Sequence, residues 1–277
     1  MTAATLEPVS LRASLCALGA TLCLCWALRW SARRALPLAL LPAALEVTAT
    51  LQLCCCALEQ RLAADSGAAP RWLGLGLVFV TSAAHGATGA GATCSPCSAL
   101  ERVLLRTEGP RTAMARVFAQ VCGAALALRV TGAAWRLLGG AHALAVGVYV
   151  ERPPGVAWLC PSPLRAGLPL GVVVEALCAL AFHVAAAQAA ARLQPTARVA
   201  AVSAAVTAIV YAAGSITGGV FNPVLAATFT LGCPGHSTLD YALVYGVAPL
   251  IGMTAACIVC NGQIPLLRRG KRDEKTD

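Results

Sequence analysis

Charged residues are scarce in this sequence. Of its 277 residues only 12% are Asp, Glu, Lys or Arg, whereas 58% are hydrophobic and the mean hydropathy is +0.72. About a quarter of the residues in an average soluble domain are charged, so this chain has too little polar surface to cover a globule of its size. A soluble protein with a large, fully buried helical core is the alternative, and the length of the apolar runs argues against it.

The apolar residues come in blocks of about 20, the length that crosses a bilayer core of about 30 Å. Because lipid offers the backbone no hydrogen-bond partners, these blocks are expected to be helices. The first block is followed by its positive charges, unlike a signal peptide, so we expect it to be retained. Seven spans are predicted, near residues 13–30, 38–60, 72–90, 112–131, 168–191, 198–213 and 241–260.

The formal net charge is +9, which could indicate a nucleic-acid partner, but the distribution of the charges argues against one. We take the cluster from Arg29 to Arg34 as cytosolic and let the segments near 94–106 and 218–232 re-enter without crossing. Alternation of the spans then places fourteen of the 21 Lys and Arg in the cytosol and six on the opposite side, with Arg129 inside a helix. This is the positive-inside asymmetry of membrane proteins, so the excess reflects topology and predicts a cytosolic C-terminus.

Two segments of the chain repeat the same features in the same order. Each has an acid within a span, Glu46 or Glu175, then a further span, then a short box that contains Pro. In both copies a Gly lies five positions before that Pro, at Gly91 and Gly218. The box residues are Ser95, Pro96 and Cys97 in the first copy and Asn222, Pro223 and Val224 in the second. An odd number of spans separates the copies, which predicts an inverted repeat.

Each box precedes an apolar run that is too short to cross the membrane. Pro suits the first turn of a helix, and Ser or Asn suits the capping position before it. The boxes therefore predict loops that enter the membrane and begin half-helices at Pro96 and Pro223. The two N-termini carry partial positive charge and should meet near the midplane, where they disfavour cations. There the Asn222 amide can donate to a passing water molecule.

The intramembrane acids Glu46 and Glu175 need partners, because an unpaired charge in the membrane is costly and usually functional. The entering loops have backbone groups that no helix satisfies. We therefore expect each Glu to bind the loop backbone of its own repeat. A proton-relay carboxylate is the alternative, and the recurrence of the acid in both copies favours the structural role.

These residues resemble the aquaporin (major intrinsic protein) family over roughly residues 38–260. The second box is similar to the family's Asn-Pro-Ala box, the two acids to its paired buried acids, and Gln120 to its third-span pattern. Three stretches resemble its unorthodox subfamily, at residues 51–56, 211–218 and 221–223. Cys97 in the first box and Cys233, nine positions after Val224, also match that subfamily.

The resemblance implies an all-α, aquaporin-like six-span bundle with two re-entrant half-helices in an inverted repeat, plus an extra N-terminal hydrophobic helix. It divides the chain into an N-terminal extension (1–34), a channel domain (35–262, with repeats 35–135 and 165–262) and a basic cytosolic tail (263–277). It further implies a homotetramer in the lipid of the endoplasmic reticulum membrane. Such a channel passes water, glycerol or hydrogen peroxide and needs no cofactor or metal.

Two positions depart from the family pattern. Ser95 stands where the family has Asn, so one of two midplane amide donors is missing. Leu225 stands where ordinary aquaporins have Arg, which removes a fixed cation and several donors from the filter. The candidates for selectivity-filter residues are Leu225, Val210 and Tyr211.

Two other functions stay open at this point. Degenerate boxes at Ser95 and Leu225 favour a non-conducting membrane scaffold with the channel fold. The Cys-x-x-Cys spacing of Cys94 and Cys97 at a helix start, where a thiol pKa can fall, would suit a lumenal thiol-redox sensor. For Cys233 packing is the default and a role in folding or assembly the alternative, and His85 and His183 are expected to be hydrogen-bonded packing residues. No spacing of nucleophile and base suggests an enzyme.

Overall fold

The computed structural model describes residues 8–151, 162–230, 233 and 236–262. Within these residues the regular structure is helical throughout. The helices are α1 (Leu11–Ala35), α2 (Leu41–Asp65), α3 (Arg71–Thr88), α4 (Pro96–Leu104), α5 (Pro110–Leu138), α6 (Gly140–Ala145), α7 (Leu168–Arg192), α8 (Pro195–Ala213), α9 (Pro223–Thr230), α10 (Thr238–Tyr241) and α11 (Ala248–Asn261). Stretches of π-helix extend α6 over Val146–Glu151 and join α10 to α11 over Ala242–Val247.

Proline marks the start of most of these helices. It occupies one of the first two positions of α2, α4, α5, α7, α8 and α11, and α9 begins at Pro223. The ring fixes φ near the helical value, and the missing N–H would have no partner in the first turn. Local sequence chemistry therefore sets where the half-helices and most of the spans begin.

By length and composition, six helical segments can cross a membrane: α1, α2, α5, α7, α8 and the segment from α10 to α11. Helix α3 has 18 residues, and Arg71 and His85 lower its hydropathy. It still counts as a span of the bundle, because it carries the chain back from the end of α2. We call the side where α1 ends and α2 begins the first face, and the opposite side the second face. Half-helices α4 and α9 have nine and eight residues, about 12–14 Å, and reach only halfway across.

The two halves pack in the same way. In the first half α2 lies against α5, in the second α7 lies against α11, and α3 contacts α8 between the halves. A Gly lies at each of the first two crossings. A Cβ on Gly123 would lie 2.6 Å from the Val47 carbonyl oxygen, and one on Gly252 would lie 2.0 Å from that of Ala176. Val47 and Ala176 directly follow the two intramembrane acids. The close approach of the two helices at each crossing therefore fixes the depth of each acid in the bundle.

Helix α1 is additional to this six-span bundle and packs mainly on α2. Its buried residues form one stripe, Ser14, Leu18, Cys25 and Arg29. Arg29 is only 2% exposed. Its Nη2 donates to Gln52 Oε1 at 2.5 Å and to Thr88 Oγ1 at 3.0 Å. The charge distribution predicts Arg29 among the cytosolic charges, but α1 continues beyond it to Ala35, and its side chain is buried against α2 and α3.

Replacing either crossing Gly by Ala tests the packing. We expect Gly123→Ala and Gly252→Ala each to cost about 1–3 kcal/mol, because the new methyl group overlaps a backbone oxygen that cannot move aside. The measurement is the thermal unfolding midpoint in detergent. Gly74→Ala on α3 is the matched control, since nothing lies within 4 Å of its Cβ position and Ala favours helix. Equal midpoints for all three variants would contradict the close crossings.

Candidate functional site

The two half-helices begin beside each other, and α4 contacts α9. Ser95 caps α4, its Oγ accepting a hydrogen bond from the Cys97 N–H at 3.3 Å. Asn222 caps α9, its Oδ1 accepting from Val224 N–H at 3.1 Å and Leu225 N–H at 3.4 Å. Both boxes therefore point helix N-termini, with their partial positive charge, into the same region of the bundle.

A side chain from the second box links the two loops. The Asn222 Nδ2 donates to the Cys94 carbonyl oxygen at 2.8 Å. Ser95 and Asn222 are nearly buried, at 8% and 7% exposed. A primary amide carries two N–H groups, and one of them holds the two loops together. The sequence alone did not indicate this bond between the loops.

Glu46 of α2 organises the first loop. Its carboxylate accepts hydrogen bonds from Thr93 N–H at 2.9 Å and Cys94 N–H at 2.5 Å, and from the Thr93 hydroxyl at 2.8 Å. Helix α5 adds Arg116, whose Nη1 lies 2.7 Å away, and Gln120, whose Nε2 lies 2.9 Å away. The buried charge is thus compensated by a cation and several donors, as an intramembrane acid requires. Arg116, assigned to the cytosol from the sequence, is one of these partners.

Glu175 of α7 organises the second loop with a different set of partners. The Thr217 hydroxyl donates to Oε1 at 2.5 Å, Val220 N–H donates to Oε1 at 3.1 Å, and Phe221 N–H donates to Oε2 at 2.6 Å. The Tyr245 hydroxyl extends the network to the Thr217 carbonyl at 2.6 Å. Among the described residues no cation lies within ion-pair distance of Glu175, so neutral donors alone hold this acid.

The residue before each box has left-handed backbone geometry. Cys94 has φ of 53° and Phe221 has φ of 37°, values that non-Gly residues rarely adopt. In each case the strained residue's own N–H donates to the acid of that repeat. The carboxylates therefore hold both loops in conformations that cost of order 1–3 kcal/mol each.

The predicted filter residues occupy different surroundings. Leu225 lies on α9, partly buried between two apolar clusters. The Val210 Cα lies 3.5 Å from where a Cβ on Gly219 would be, so Val210 adjoins the second loop. Tyr211 is 57% exposed, and the Arg71 guanidinium lies 4.6 Å from its ring centroid. Tyr211 lines an open apolar groove of about 570 Å³ between α3 and α8. The role of Tyr211 as a filter residue stays a prediction.

Two buried polar networks tie α1 to the bundle, and local sequence patterns predict neither of them. Near the first loop, Arg29 and His85 meet at Gln52 of α2; the Gln52 Nε2 lies 3.5 Å from His85 Nδ1. Near the second face, Glu59 accepts from Trp135 Nε1 at 2.5 Å and lies 3.1 Å from His142 Nε2. The same imidazole nitrogen lies 3.4 Å from the Ser14 hydroxyl of α1. Both networks are satisfied mainly by residues far apart in sequence.

The cysteines fall into two chemical states. Cys94 and Cys97 are free thiols and are 3% and 0% exposed. Cys233 is disulfide-bonded, and its partner lies outside the described residues. The default expectation that Cys233 is a packing thiol is therefore wrong. Within the described ranges, no three His, Cys, Asp or Glu side chains come together as metal ligands.

The other predicted packing residue, His183, is 2% exposed. Its Nδ1 lies 2.9 Å from Glu101 Oε2 of half-helix α4. The pair adjoins a cavity of about 180 Å³ near the first face, which Gln188 and Asn261 also line. His183 is thus a hydrogen-bonded residue between α7 and the first half-helix.

The architecture defines a class of protein. A six-span bundle with two half-helices that meet in the middle is the aquaporin fold, and a solved structure agrees. The X-ray structure of the aquaglyceroporin from Plasmodium falciparum is similar with a TM-score of 0.59, covering 81% of this chain and 96% of its own, at 15% identity. At that identity the likeness concerns the fold alone.

Sequence relatives then give the family. Aquaporin-11 of Equus caballus is 33% identical over 224 residues, 80% of this chain and 78% of the relative. Aquaporin-12 of Mus musculus is 33% identical over 270 residues, 93% and 88% of the two chains. Aquaporin-11 of Homo sapiens is 31% identical over 234 residues. No family model matches the chain. The chain belongs to the aquaporin family and is an integral membrane protein with a channel fold.

Replacing Glu175 by Gln tests the role of the acids. Gln offers one acceptor oxygen where the carboxylate offers two, and its NH₂ group would face an N–H of the second loop. We expect Glu175→Gln to lower stability by about 1–3 kcal/mol, seen as a lower unfolding midpoint. The exposed Glu151, which pairs with Arg136, gives the control Glu151→Gln. A Glu175→Gln protein as stable as that control would argue against the loop-holding role.

Removing the disulfide tests Cys233. Cys233→Ser is expected to cost about 2–5 kcal/mol, because the bond restricts the unfolded chain. Reducing agent should lower the unfolding midpoint of the native protein and leave that of Cys233→Ser unchanged. Cys122, an exposed free thiol, provides the control Cys122→Ser. If reduction does not alter the native midpoint, the disulfide contributes nothing to stability.

Proposed function

We propose that this protein is a passive transmembrane channel for water and small neutral solutes, including glycerol and hydrogen peroxide. It acts without a cofactor and is not an enzyme. The observation that carries the proposal is the meeting of the two half-helix N-termini at Ser95 and Asn222, joined by the Asn222 to Cys94 hydrogen bond of 2.8 Å. One amide N–H and one hydroxyl are left there for a permeating oxygen atom.

The chemistry of this region favours neutral solutes. The first turns of α4 and α9 carry no carboxylate and no cationic side chain, since Cys97, Ser98, Val224 and Leu225 follow the two prolines. A cation that reaches the boxes meets only the positive ends of two helix dipoles. Leu225 offers a solute no hydrogen bond and no charge, which suits molecules larger than water.

The positive-inside asymmetry supports an orientation with the first face in the cytosol. The C-terminus is then cytosolic and the second face is lumenal. The Cys233 disulfide supports the same orientation, because disulfides persist in oxidising compartments and α9 runs from the boxes towards the second face. We place the protein in the endoplasmic reticulum membrane as a homotetramer, by analogy with its unorthodox subfamily.

A non-conducting scaffold is the second candidate, and one observation favours it. Ser95 and Asn222 are 8% and 7% exposed, so little of either box is open to a solute in this conformation. A thiol-redox sensor at Cys94 and Cys97 is less well supported, since both thiols are almost fully buried and therefore poorly accessible to oxidants.

Flux through the purified protein in liposomes discriminates these candidates. A channel gives water, glycerol or peroxide flux above that of empty liposomes, measured by light scattering and by an entrapped peroxide probe. A scaffold gives none, although the protein is folded and correctly inserted. Treatment with a thiol oxidant tests the redox-sensor function. A redox sensor must change its flux or its assembly when its thiols are oxidised.

Leu225→Arg tests whether Leu225 lines the passage. Arg adds donors and a permanent charge to a narrow space of low dielectric, so glycerol should lose the most flux and water the least. Thermal unfolding must first establish that the variant is folded, because the new charge needs partners. If a folded variant keeps native flux for water, peroxide and glycerol, Leu225 does not line the passage.

A further inference from the structure

Two arginines delimit the outer face of helix α5. Arg111 and Arg129 are 18 residues apart, which is five full helical turns, so they lie on the same face. Both are exposed on the surface of the bundle. The exposed residues between positions 114 and 126 carry no charge, and they include Met114, Phe118 and Leu126. This face is therefore an apolar stripe about 27 Å long with a cation at each end. We call it the α5 stripe.

The depth of the α5 stripe follows from Gln120, which lies midway between the two arginines. The Gln120 Nε2 donates to Glu46 Oε1 at 2.9 Å and to the Thr93 hydroxyl at 2.8 Å. Gln120 is thus level with the first loop, near the middle of the bundle. The nine residues on either side span about 14 Å, and half of a hydrocarbon core is about 15 Å. Arg111 therefore lies at the first-face edge of the core and Arg129 at its second-face edge.

Neither of these arginines has a partner in the described part of the chain. There the side chains of Arg111 and Arg129 make no hydrogen bond, ion pair or ring contact. Other arginines of α5 differ, because Arg116 pairs with two acids inside the bundle and Arg136 pairs with Glu151 beyond the second-face edge. An arginine at the lipid boundary needs an anion or water to offset its charge. The anion for each end of the α5 stripe must come from outside this chain.

A second copy of this chain is a poor source of that anion. The acids inside the described spans are closed to a partner, since Glu46 and Glu175 are 0% exposed and Glu59 is 3% exposed. Phospholipid phosphates, in contrast, lie just outside both edges of the hydrocarbon core. An arginine at the edge can lay its stem along the apolar surface and keep its guanidinium at the level of these phosphates. The guanidinium N–H groups also match the geometry of phosphate oxygens.

We propose that Arg111 and Arg129 each bind the phosphate of a phospholipid, one from each leaflet, whose acyl chains lie along the α5 stripe. Lipids of net negative charge are preferred, because each arginine brings a positive charge that nothing in the described chain neutralises. The pair of sites fixes the depth of α5, the helix that carries Gln120 and Arg116 to the first loop. This role goes beyond solute passage and holds whether or not the chain conducts.

The test counts the lipids that the purified protein retains. Full-length protein in detergent is incubated with phosphatidylglycerol or with phosphatidylcholine, and bound lipids are counted by native mass spectrometry. The variants are Arg111→Leu, Arg129→Leu and the double variant. Arg136→Leu is the matched control, because it lies on the same side of α5 and changes the net charge equally, but its partner is Glu151. Thermal unfolding midpoints are measured for every protein with and without lipid.

The native protein should retain phosphatidylglycerol in preference to phosphatidylcholine. Each single Leu variant should bind one phosphatidylglycerol about fivefold more weakly, the factor that one arginine contributes at an anionic membrane surface. The double variant should lose both sites, because positions this far apart act independently. Arg136→Leu should match the native protein, and Arg129→Lys should keep its site, since Lys also binds phosphate. Without lipid the midpoints should be equal, whereas phosphatidylglycerol should raise the native midpoint more than that of the double variant.

Two results would overturn the inference. One is a folded double variant that retains as much phosphatidylglycerol as the native protein, which would leave the two cations to acidic helices of a partner protein. The other is a Leu variant with a lower lipid-free midpoint and native lipid binding, which would show a structural role within the chain. Should the Leu variants not fold, Arg111→Gln and Arg129→Gln replace them, with the same losses expected because Gln also lacks the charge.

Discussion

The structure depends on two buried carboxylates that hold loop backbone inside a membrane. Residues 93–94 and 220–221 lie in the entering loops beyond the helical hydrogen bonds of α3 and α8, and lipid cannot satisfy their N–H groups. Glu46 and Glu175 accept these donors, including those of the left-handed residues Cys94 and Phe221. Once the loops are held, Ser95 and Asn222 can cap α4 and α9, and the two half-helices can point at each other. The meeting of the two half-helices therefore depends on two acids from the spans, which replace the missing solvent.

The two buried acids differ in the charge of their partners. Glu46 is paired with Arg116 and Gln120 from α5, whereas Glu175 relies on a hydroxyl and two backbone amides. A fully compensated charge tolerates burial better than one held by neutral donors. The second loop, which bears the Asn222 box, is thus the less strongly compensated of the two.

Helix α1 gives this chain a feature beyond the six-span bundle. It is anchored through Arg29 to Gln52 and Thr88, and through Ser14 to the His142 and Glu59 pair. Both anchors are buried polar contacts that are expensive to break in a low-dielectric interior. The first anchor lies beside the segment that leads into the first loop, so α1 braces the helices on which the Ser95 box depends.

The sequence by itself determined the class of structure. Apolar blocks long enough to span a bilayer, a repeated acid and Pro box, and prolines at helix starts are local or periodic signals, and they predicted the spans, both half-helices and the inverted repeat. Only the tertiary structure decided which partners the side chains take. Arg29 and Arg116 read as cytosolic charges but bind inside the bundle, Tyr211 lies in an outer groove, and Arg61 reaches a residue 168 positions away. Such pairings depend on the rotation and crossing of the helices. Small residues such as Gly123 and Gly252 set these crossings through backbone contact. No periodicity in the chain encodes the rotation or the crossing, so the pairings could not be predicted from the sequence.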